Sequence, residues 1–402
     1  MAGFNLKALY ALFVSLPLLH VLCAADTVRD LQTKGRAAID AAVAKSATCT
    51  KDKLRVRREW GDTTASEKRA YIAAVQCINK APSKLSATQY PGARTRFDDF
   101  VAIHMKNTLS IHGTGNFLSW HRYYTFAYEN ALRVECGYNG AQPYWDWGRW
   151  AASPETSPIF DGSETSMSGQ GEKVQHSSSG MKPAGNGGGC IASGPFKGMM
   201  VNLGPVAAMD SPAPPRNPRS DGYGYNPRCV KRDISNYLNQ LYATTDKIVA
   251  LINNSKAIGS FQDNMQAATG PHGAGHFTVA GDPGSDFYTS PGDPYFYLHH
   301  SMVDRVWSIW QSQDFANRQQ VIAGGTSMMG SGKSQSLEDN VDLEVLNVDG
   351  KVYKIKDLKE PRPLPVNQSL DLSTGNDRAP QLDFGFNAPT GTSSLDLFRA
   401  RL

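Results

Sequence analysis

Residues 112–129 read HGTGNFLSWHRYYTFAYE, and this stretch decides the fold of the middle of the chain. The two glycines within 113–115 mark a loop, because closely spaced glycines interrupt regular elements. The residues on either side of that loop, 95–110 and 119–136, have the spacing of helices. The stretch therefore predicts two helices joined by a short loop, with a histidine before the loop and another at the start of the second helix.

Helical patterns continue outward on both sides of this pair. They lie at residues 26–46, 64–77, 231–255 and 294–312. Thr64-Ala-Ser-Glu67 is a capping box, in which the threonine and glutamate side chains satisfy free backbone N–H groups of the first turn. Short strand-like runs come late, at 343–346 and 352–355. The sequence therefore predicts a mainly helical core with few short strands.

Residues 151–230 differ in character from the rest of the chain. Glycine, serine and proline dominate there and no hydrophobic period is visible, which is typical of a long irregular loop. From about residue 330 the chain becomes polar, and prolines follow at 361, 363 and 365. We expect residues 341–402 to form a tail that packs on the core.

The composition excludes several classes of protein. Of the 402 residues, 40% are hydrophobic and 19% are charged, which argues against wholesale disorder. Lysine and arginine number 41, and aspartate and glutamate number 37, so the net charge is +4. This excess is small and scattered. The sequence therefore predicts no nucleic-acid partner and no membrane partner.

The N-terminus, residues 1–25, reads as a secretory signal peptide. A lysine precedes a mostly apolar run at 8–22, and small residues at 23–25 offer a cleavage site. The apolar run is shorter than the ~20 residues that a membrane-spanning helix needs. We therefore predict a secreted, extracellular protein, with Asn253 and Asn367 as glycosylation acceptors in Asn-x-Ser contexts.

The number of cysteines is compatible with secretion into an oxidising compartment. Removal of the signal peptide leaves five cysteines, which are Cys49, Cys77, Cys136, Cys190 and Cys229. An oxidising compartment favours disulfides, and an odd number allows at most two within the chain. Cys49 and Cys77 flank one predicted helix, and Cys190 and Cys229 bracket a loop, so these two pairs are the predicted disulfides.

Seven of the nine histidines fall into two groups. The first group is His104, His112 and His121, and the second is His272, His276, His299 and His300. His272 and His276 are four residues apart, so on a helix they share one face. His299 and His300 are adjacent, so one of the two points away from the site. Three imidazoles per ion, without a nearby thiolate or carboxylate set, suit copper better than zinc and leave an open position for dioxygen.

The motifs around these histidines resemble the copper signatures of the tyrosinase family. The stretch 112–129 matches the first signature through its terminal glutamate, and DPYFYLHHSMVDRVW at 293–307 matches the second. QPYWDW at 142–147 is also similar to the family. The resemblance covers roughly residues 45–315.

The resemblance implies a four-helix bundle with two copper ions, each bound by three histidines. It assigns His104, His112 and His121 to copper A, and His272, His276 and His300 to copper B. The family's second signature uses the second of two adjacent histidines, which selects His300 over His299. Arg122 and Asp304 look like residues that support the ligands beside them. Residues 26–340 would form one dicopper oxidase domain.

Some positions depart from the pattern of many relatives. Ser110 stands where fungal members carry a cysteine linked to the second copper A histidine. Gly273 stands where many monophenol-hydroxylating members carry asparagine, and residues 251–271 contain no glutamate. Phe277 follows the second copper B histidine and either crowds the entrance or packs in the core. About 60 residues follow position 340, so we expect a short form without a large C-terminal cap.

The resemblance and these departures together predict a secreted catechol oxidase, also called polyphenol oxidase. It would convert o-diphenols to o-quinones and reduce dioxygen to water, with two copper ions per chain and no catalytic residue beyond the ligands. Its partners would be dioxygen and small phenols. The alternatives are a tyrosinase that hydroxylates monophenols, an o-aminophenol oxidase and, from another class, a hemocyanin-like oxygen carrier.

Overall fold

The computed structural model describes residues 28–45, 55–177, 181–328 and 332–359, together with the backbone of Gly385 and Phe386. Within these residues the fold is mainly helical, as the sequence predicts. The helices are α1 (28–44), α2 (Ala65–Ile78), α3 (Arg96–Ile111), α4 (Phe117–Cys136), α5 (Tyr237–Tyr242), α6 (Thr245–Asn254), α7 (Ile258–Gln266), α8 (Pro271–Val279), α9 (Tyr295–Ser312) and α10 (Phe315–Arg318).

The strands in the described residues are short and form separate two-stranded pairs. One pair is parallel, β1 (Val56–Arg57) with β8 (Gly385–Phe386). The antiparallel pairs are β2 (Gly171–Lys173) with β3 (Gly188–Ile191), β4 (Met200–Val201) with β5 (Arg228–Cys229), and β6 (Asn340–Val341) with β7 (Tyr353–Lys354). The core is therefore built by helices.

Helix starts and ends follow from local sequence. The predicted capping box is present, because the Thr64 side chain accepts from the Glu67 N–H and the Glu67 side chain accepts from the Thr64 N–H. A second box, Thr95 with Asp98, opens α3. Helix α4 ends at Cys136 and is capped by Gly137, whose φ of 68° lies in the left-handed region that favours glycine. The helices predicted around the histidine motifs are confirmed to within two residues at each end.

The core is a bundle of α3, α4, α8 and α9. Helix α4 packs along α9, while α3 contacts α4 and α8 contacts α9. Every residue of α9 is buried, so this helix lies at the centre with packing partners on all sides. Aromatic rings fill the space between the helices, with Phe100 of α3 meeting Tyr124 of α4 and Tyr297 of α9 edge to face. The predicted four-helix bundle is confirmed.

One predicted disulfide is confirmed and the other is wrong. Cys190 and Cys229 are bonded as predicted. Cys77 is bonded to Cys136, with the two Cα atoms 5.9 Å apart, and not to Cys49, which lies outside the described residues. The reason is tertiary, because α2 packs against α4 and each helix carries one of these cysteines in its last turn.

Three predicted segments differ from the structure. Residues 151–230 are not uniformly irregular, because the strands β2 to β5 organise them. The helix predicted at 231–255 is two helices, α5 and α6. Glu344–Leu346 is a 3-10 helix where a strand was predicted, whereas β7 confirms the strand predicted at 352–355. Elements of two to four residues are too short to show a hydrophobic period.

Some predictions fall outside the described residues. These are the signal peptide at 1–25, the acceptor Asn367 and the prolines at 361–365. The other acceptor, Asn253, is exposed near the end of α6. Among the helices of the described ranges, none is long and apolar enough to cross a membrane.

Candidate metal centre

The structure brings the first histidine group together. His104 lies in the middle of α3, and His121 lies in the first turns of α4. His112 follows α3 in extended backbone, with φ −122° and ψ 143°. One nitrogen of each ring lies within 4.8 Å of one nitrogen of the others.

Each of these three rings is oriented by a hydrogen bond from Nδ1 to a backbone carbonyl. The acceptors are the oxygens of Tyr288 for His104 (2.8 Å), Thr108 for His112 (2.9 Å) and Phe117 for His121 (2.8 Å). A carbonyl can only accept, so Nδ1 carries the proton and Nε2 keeps its lone pair. Such outer contacts set the tautomer and direction of metal-binding histidines. The three Nε2 atoms are therefore the ones available to a metal.

Two of these three bonds follow from sequence spacing. Phe117 precedes His121 by four residues within α4, and helix geometry places such residues on one face. Thr108 precedes His112 by four residues and lies in the last turn of α3, next to the residue that it orients. Tyr288 lies 184 residues after His104, and the tertiary fold alone brings it there. Sequence reasoning missed Tyr288 because a backbone carbonyl leaves no mark in the side-chain pattern.

The second histidine group joins α8 to α9. His272 and His276 lie one turn apart on α8, and His300 lies on α9. The Nε2 atom of His276 is 3.2 Å from that of His272 and 3.3 Å from that of His300. Three imidazole nitrogens about 2.0 Å from one ion at tetrahedral angles are about 3.3 Å apart. The spacing therefore fits a single transition-metal ion.

His299, the fourth member of that group, is engaged elsewhere. Its Nδ1 atom accepts a hydrogen bond from Nε1 of Trp147 at 3.0 Å, and its ring occupies the space beside Gly275 that a side chain would fill. Because Nδ1 is an acceptor, the neutral ring carries its proton on Nε2 and offers no free lone pair. Trp147 closes the motif at 142–147, so one role of that motif is to hold His299.

We expect His299→Ala to keep its copper and to lose stability. Removing a buried ring leaves a cavity and an unpaired Trp147 N–H, which together cost about 2–4 kcal/mol. Copper per chain, measured by atomic absorption, and urea unfolding of the metal-free protein check the two halves of this expectation. Loss of copper from a folded His299→Ala protein would make His299 a ligand.

The two groups face each other inside the bundle. The rings of His121 and His300 are stacked, with centroids 4.4 Å apart and planes at 12°. The centroids of His112 and His272 are 6.2 Å apart. Two ions held by the two groups would share one site.

Burial keeps these rings neutral. It lowers the pKa of His112 to about 4 and the pKa of His276 to about 3. Burial, reinforced by neighbouring histidines, also holds the pKa well below the usual range in His104, His121, His272 and His300. The neutral imidazole is the form that binds metals. The site is therefore in its ligand-competent form at neutral pH.

The donor set fits copper. The Nε2 atoms of His104 and His121 are buried and have no hydrogen-bond partner among the described residues, although buried polar atoms are normally paired. Within the described ranges, both groups consist of histidine alone. All-imidazole sites suit copper, and the rings of each group could hold one copper ion.

Arg122, next to His121 on α4, connects the helices that carry the two histidine groups. Its buried guanidinium stacks on the Trp307 ring, 3.7 Å from the centroid. Its nitrogens donate to Asp304 Oδ1 (2.6 Å), Ser308 Oγ (3.0 Å), Gln311 Oε1 (3.2 Å) and the carbonyl oxygens of Leu358 (3.2 Å) and Lys359 (3.1 Å). Asp304 lies one turn after His300, so this ion pair joins the helix of one group to that of the other.

Asp304 also pairs with a residue that sequence reasoning missed. Arg57 Nη1 lies 3.3 Å from Asp304 Oδ2, and Arg57 Nη2 lies 2.8 Å from Glu129 Oε2. Glu129 is the last residue of the first signature motif, and besides Arg57 it pairs with Arg55, whose Nη1 lies 3.8 Å from Glu129 Oε1. Arg57 precedes all the motifs, and no local pattern signals this pairing. The side chains of Arg57, Glu129 and Asp304 are buried, and mutual pairing is what makes such burial tolerable.

Phe277 and Gly273, the two positions expected near the entrance of the metal site, differ in their surroundings. Phe277 is half-buried on α8 and packs against the core. Gly273 is buried, and a Cβ atom there would lie 2.7 Å from the carbonyl oxygen of Ala268. A side chain at position 273 therefore requires movement of the backbone. Phe287, also half-buried, packs on His112 with the ring centroids 4.5 Å apart.

Comparison with known proteins agrees with this architecture. Residues 94–313 match the common central domain of tyrosinase, and this range contains both histidine groups. The chain belongs to the tyrosinase family. Tyrosinase-family proteins are dicopper oxidases, and each of the two all-histidine groups could hold a metal ion. The chain is thus a tyrosinase-family copper oxidase.

Individual tyrosinase-family relatives extend the match. The chain is 40% identical over 303 residues to the tyrosinase-like protein orsC of Emericella nidulans, which covers 71% of this chain and 81% of that protein. It is 35% identical over 356 residues to the N-acetyl-6-hydroxytryptophan oxidase ivoB of the same fungus, covering 80% and 94%. A solved structure of a mutant polyphenol oxidase from Thermothelomyces thermophila has a TM-score of 0.77 at 36% identity and covers 84% of this chain and 96% of that one.

Proposed function

We propose that this chain is a secreted catechol oxidase that converts o-diphenols to o-quinones and reduces dioxygen to water. The observation that carries the proposal is the pair of facing all-histidine groups, with the rings of His121 and His300 in contact. In this proposal His104, His112 and His121 hold copper A, and His272, His276 and His300 hold copper B. The coppers, when bound, supply dioxygen binding and electron transfer.

The residues of the chain orient the ligand imidazoles, keep them neutral and provide apolar surface for the substrate. Hydrogen bonds from Nδ1 to backbone carbonyls hold the rings of His104, His112 and His121 with Nε2 available, and burial keeps the imidazoles neutral. The half-buried ring of Phe287, which packs on His112, offers apolar surface to an aromatic substrate. Two o-diphenols give up four electrons and four protons in all, which convert one dioxygen to two waters.

Gly273 supports o-diphenols over monophenols as substrates. The carbonyl of Ala268 leaves no room for a side chain at 273, and residues 251–271 contain no glutamate. The site therefore lacks the asparagine and glutamate that many monophenol-hydroxylating relatives carry. One relative is named an N-acetyl-6-hydroxytryptophan oxidase, so a hydroxyindole belongs in any substrate panel.

We expect copper-loaded protein to consume oxygen with 4-methylcatechol and not with 4-methylphenol. The two compounds differ by one hydroxyl group, so their comparison isolates the hydroxylation step. Oxygen uptake and quinone absorbance are followed together, with metal-free protein and free copper as controls. The protein is recovered from the medium of a fungal host that carries the full-length gene, so the same preparation tests secretion.

Each other outcome of this experiment identifies a rival function. Sustained uptake with 4-methylphenol would make the protein a tyrosinase. With 2-aminophenol added as a third substrate, its turnover in preference to 4-methylcatechol would make the protein an o-aminophenol oxidase. Reversible oxygen binding without turnover of any phenol would make it an oxygen carrier.

A further inference from the structure

His112 differs from the other five proposed ligands because it lies outside a helix. It follows α3 in extended backbone, and Gly113 after it has a φ of 61°. A residue outside a helix has no helical hydrogen bonds to hold its backbone, so tertiary contacts must do so. Ser110 Oγ donates to the carbonyl of Asn107 at 2.8 Å, so the side chain two residues upstream does not fasten His112 either.

The direct contact comes from α7, a helix that carries no histidine. Gln266, the last residue of α7, is half-buried, and its Oε1 atom accepts a hydrogen bond from the backbone N–H of Gly113 at 2.8 Å. Gln266 lies only six residues before His272. One amide side chain therefore connects the loop that presents His112 with the segment leading into α8.

A second glutamine on the same face of α7 supports the loop indirectly. Gln262, one turn before Gln266, donates from Nε2 to the carbonyl of Ala323 at 2.8 Å. Two residues further along that segment, the carbonyl of Gly325 accepts from the N–H of Gly115 at 3.0 Å. The loop after His112 is thus held at two points.

We propose that Gln266 is a positioning residue for His112, and that its amide oxygen sets how firmly the first histidine group retains its metal. The inference rests on the proposed function in taking His112 as a copper ligand. The Nδ1 bond to Thr108 orients the ring, whereas Gln266 orients the backbone that carries it. Without an acceptor at Gln266, a loop that contains two glycines gains conformations in which Nε2 of His112 leaves the site.

The test compares Gln266→Met, which keeps the length and removes the acceptor, with Gln266→Glu, which keeps an acceptor oxygen. Copper release from the protein, loaded with Cu(I) and kept oxygen-free, into a bicinchoninate solution is followed by the absorbance of the Cu(I) complex. We expect Gln266→Met to release one of its coppers about tenfold faster than the unmodified protein. Gln266→Glu should release copper at close to the original rate.

Two controls separate positioning from general packing. Asn264 is exposed on the same helix, and Asn264→Ala should leave both release rates unchanged. Urea unfolding of the metal-free proteins should give nearly equal midpoints for all variants. Unchanged release in Gln266→Met, equal acceleration of both coppers, or equally fast release from Gln266→Glu would each overturn the proposal.

His112→Ala in the same assay separates the role of His112 as a ligand from the role of Gln266 in positioning it. A folded His112→Ala protein that keeps its full copper content would remove the ligand assignment, and the proposed function with it. Copper loss from His112→Ala combined with normal release from Gln266→Met would overturn the role of Gln266 alone.

Discussion

Replacing His300 or His121 by alanine is expected to remove about one copper ion per chain and nearly all oxidase activity. Each change leaves two imidazoles where three are needed to hold an ion in an open site. The two rings are stacked at 4.4 Å, so each variant also disturbs the facing group. Atomic absorption on protein dialysed against copper, together with oxygen uptake with 4-methylcatechol, measures both losses.

His176→Ala is the matched control for this experiment. His176 lies outside both groups, and its ring contacts Val174 and Asp233. It should keep the copper content and the turnover of the unmodified protein. His300→Gln, which keeps much of the ring's volume, guards against a folding defect in the alanine variant. Full copper content with normal turnover in His121→Ala or His300→Ala would remove that residue from the ligand set.

Arg122→Met is expected to lower the free energy of unfolding by about 3–5 kcal/mol, because it breaks a buried ion pair from one side. Asp304 would keep its contact to Arg57 but lose the shorter one, 2.6 Å to Arg122 Nε. The carbonyl oxygen of Leu358 would also lose its Arg122 donor, and that of Lys359 would keep only the donor from Gln311 Nε2. Urea unfolding of the metal-free protein measures the change without interference from copper.

Arg69→Met is the control for the Arg122 experiment. Arg69 pairs with Glu164 at 3.0 Å, but the two side chains are 55% and 80% exposed. Water screens such a pair, so its loss should change stability by less than about 1 kcal/mol. An equally small effect of Arg122→Met would show that the bundle does not depend on the buried pair.

The helices that carry the histidines could be predicted from neighbouring residues. The capping box at Thr64, the glycines after His112 and the four-residue spacing of His272 and His276 all act within one or two turns. Helical hydrogen bonds connect residues four positions apart, so local sequence is sufficient to place them. The short strands within 151–230 escaped prediction because their stability comes from distant partners.

The supports of the site were mostly beyond the reach of sequence reasoning. Arg57 pairs with Glu129 across 72 positions, and Tyr288 holds His104 across 184. The wrong partner for Cys77 has the same origin, because Cys136 is near only after α2 and α4 pack together. No periodic pattern encodes contacts of this kind.

By itself, the sequence determined the family, the mainly helical core and the histidines that meet in two groups. Only the tertiary structure decided that the Tyr288 carbonyl orients His104 and that Trp147 holds His299. It also decided that Arg122 joins α4 to α9 through Asp304. The physical reason is that residue type and short spacing specify which groups can bind a metal. The long-range contacts that hold those groups in place come from carbonyls and side chains brought together by packing.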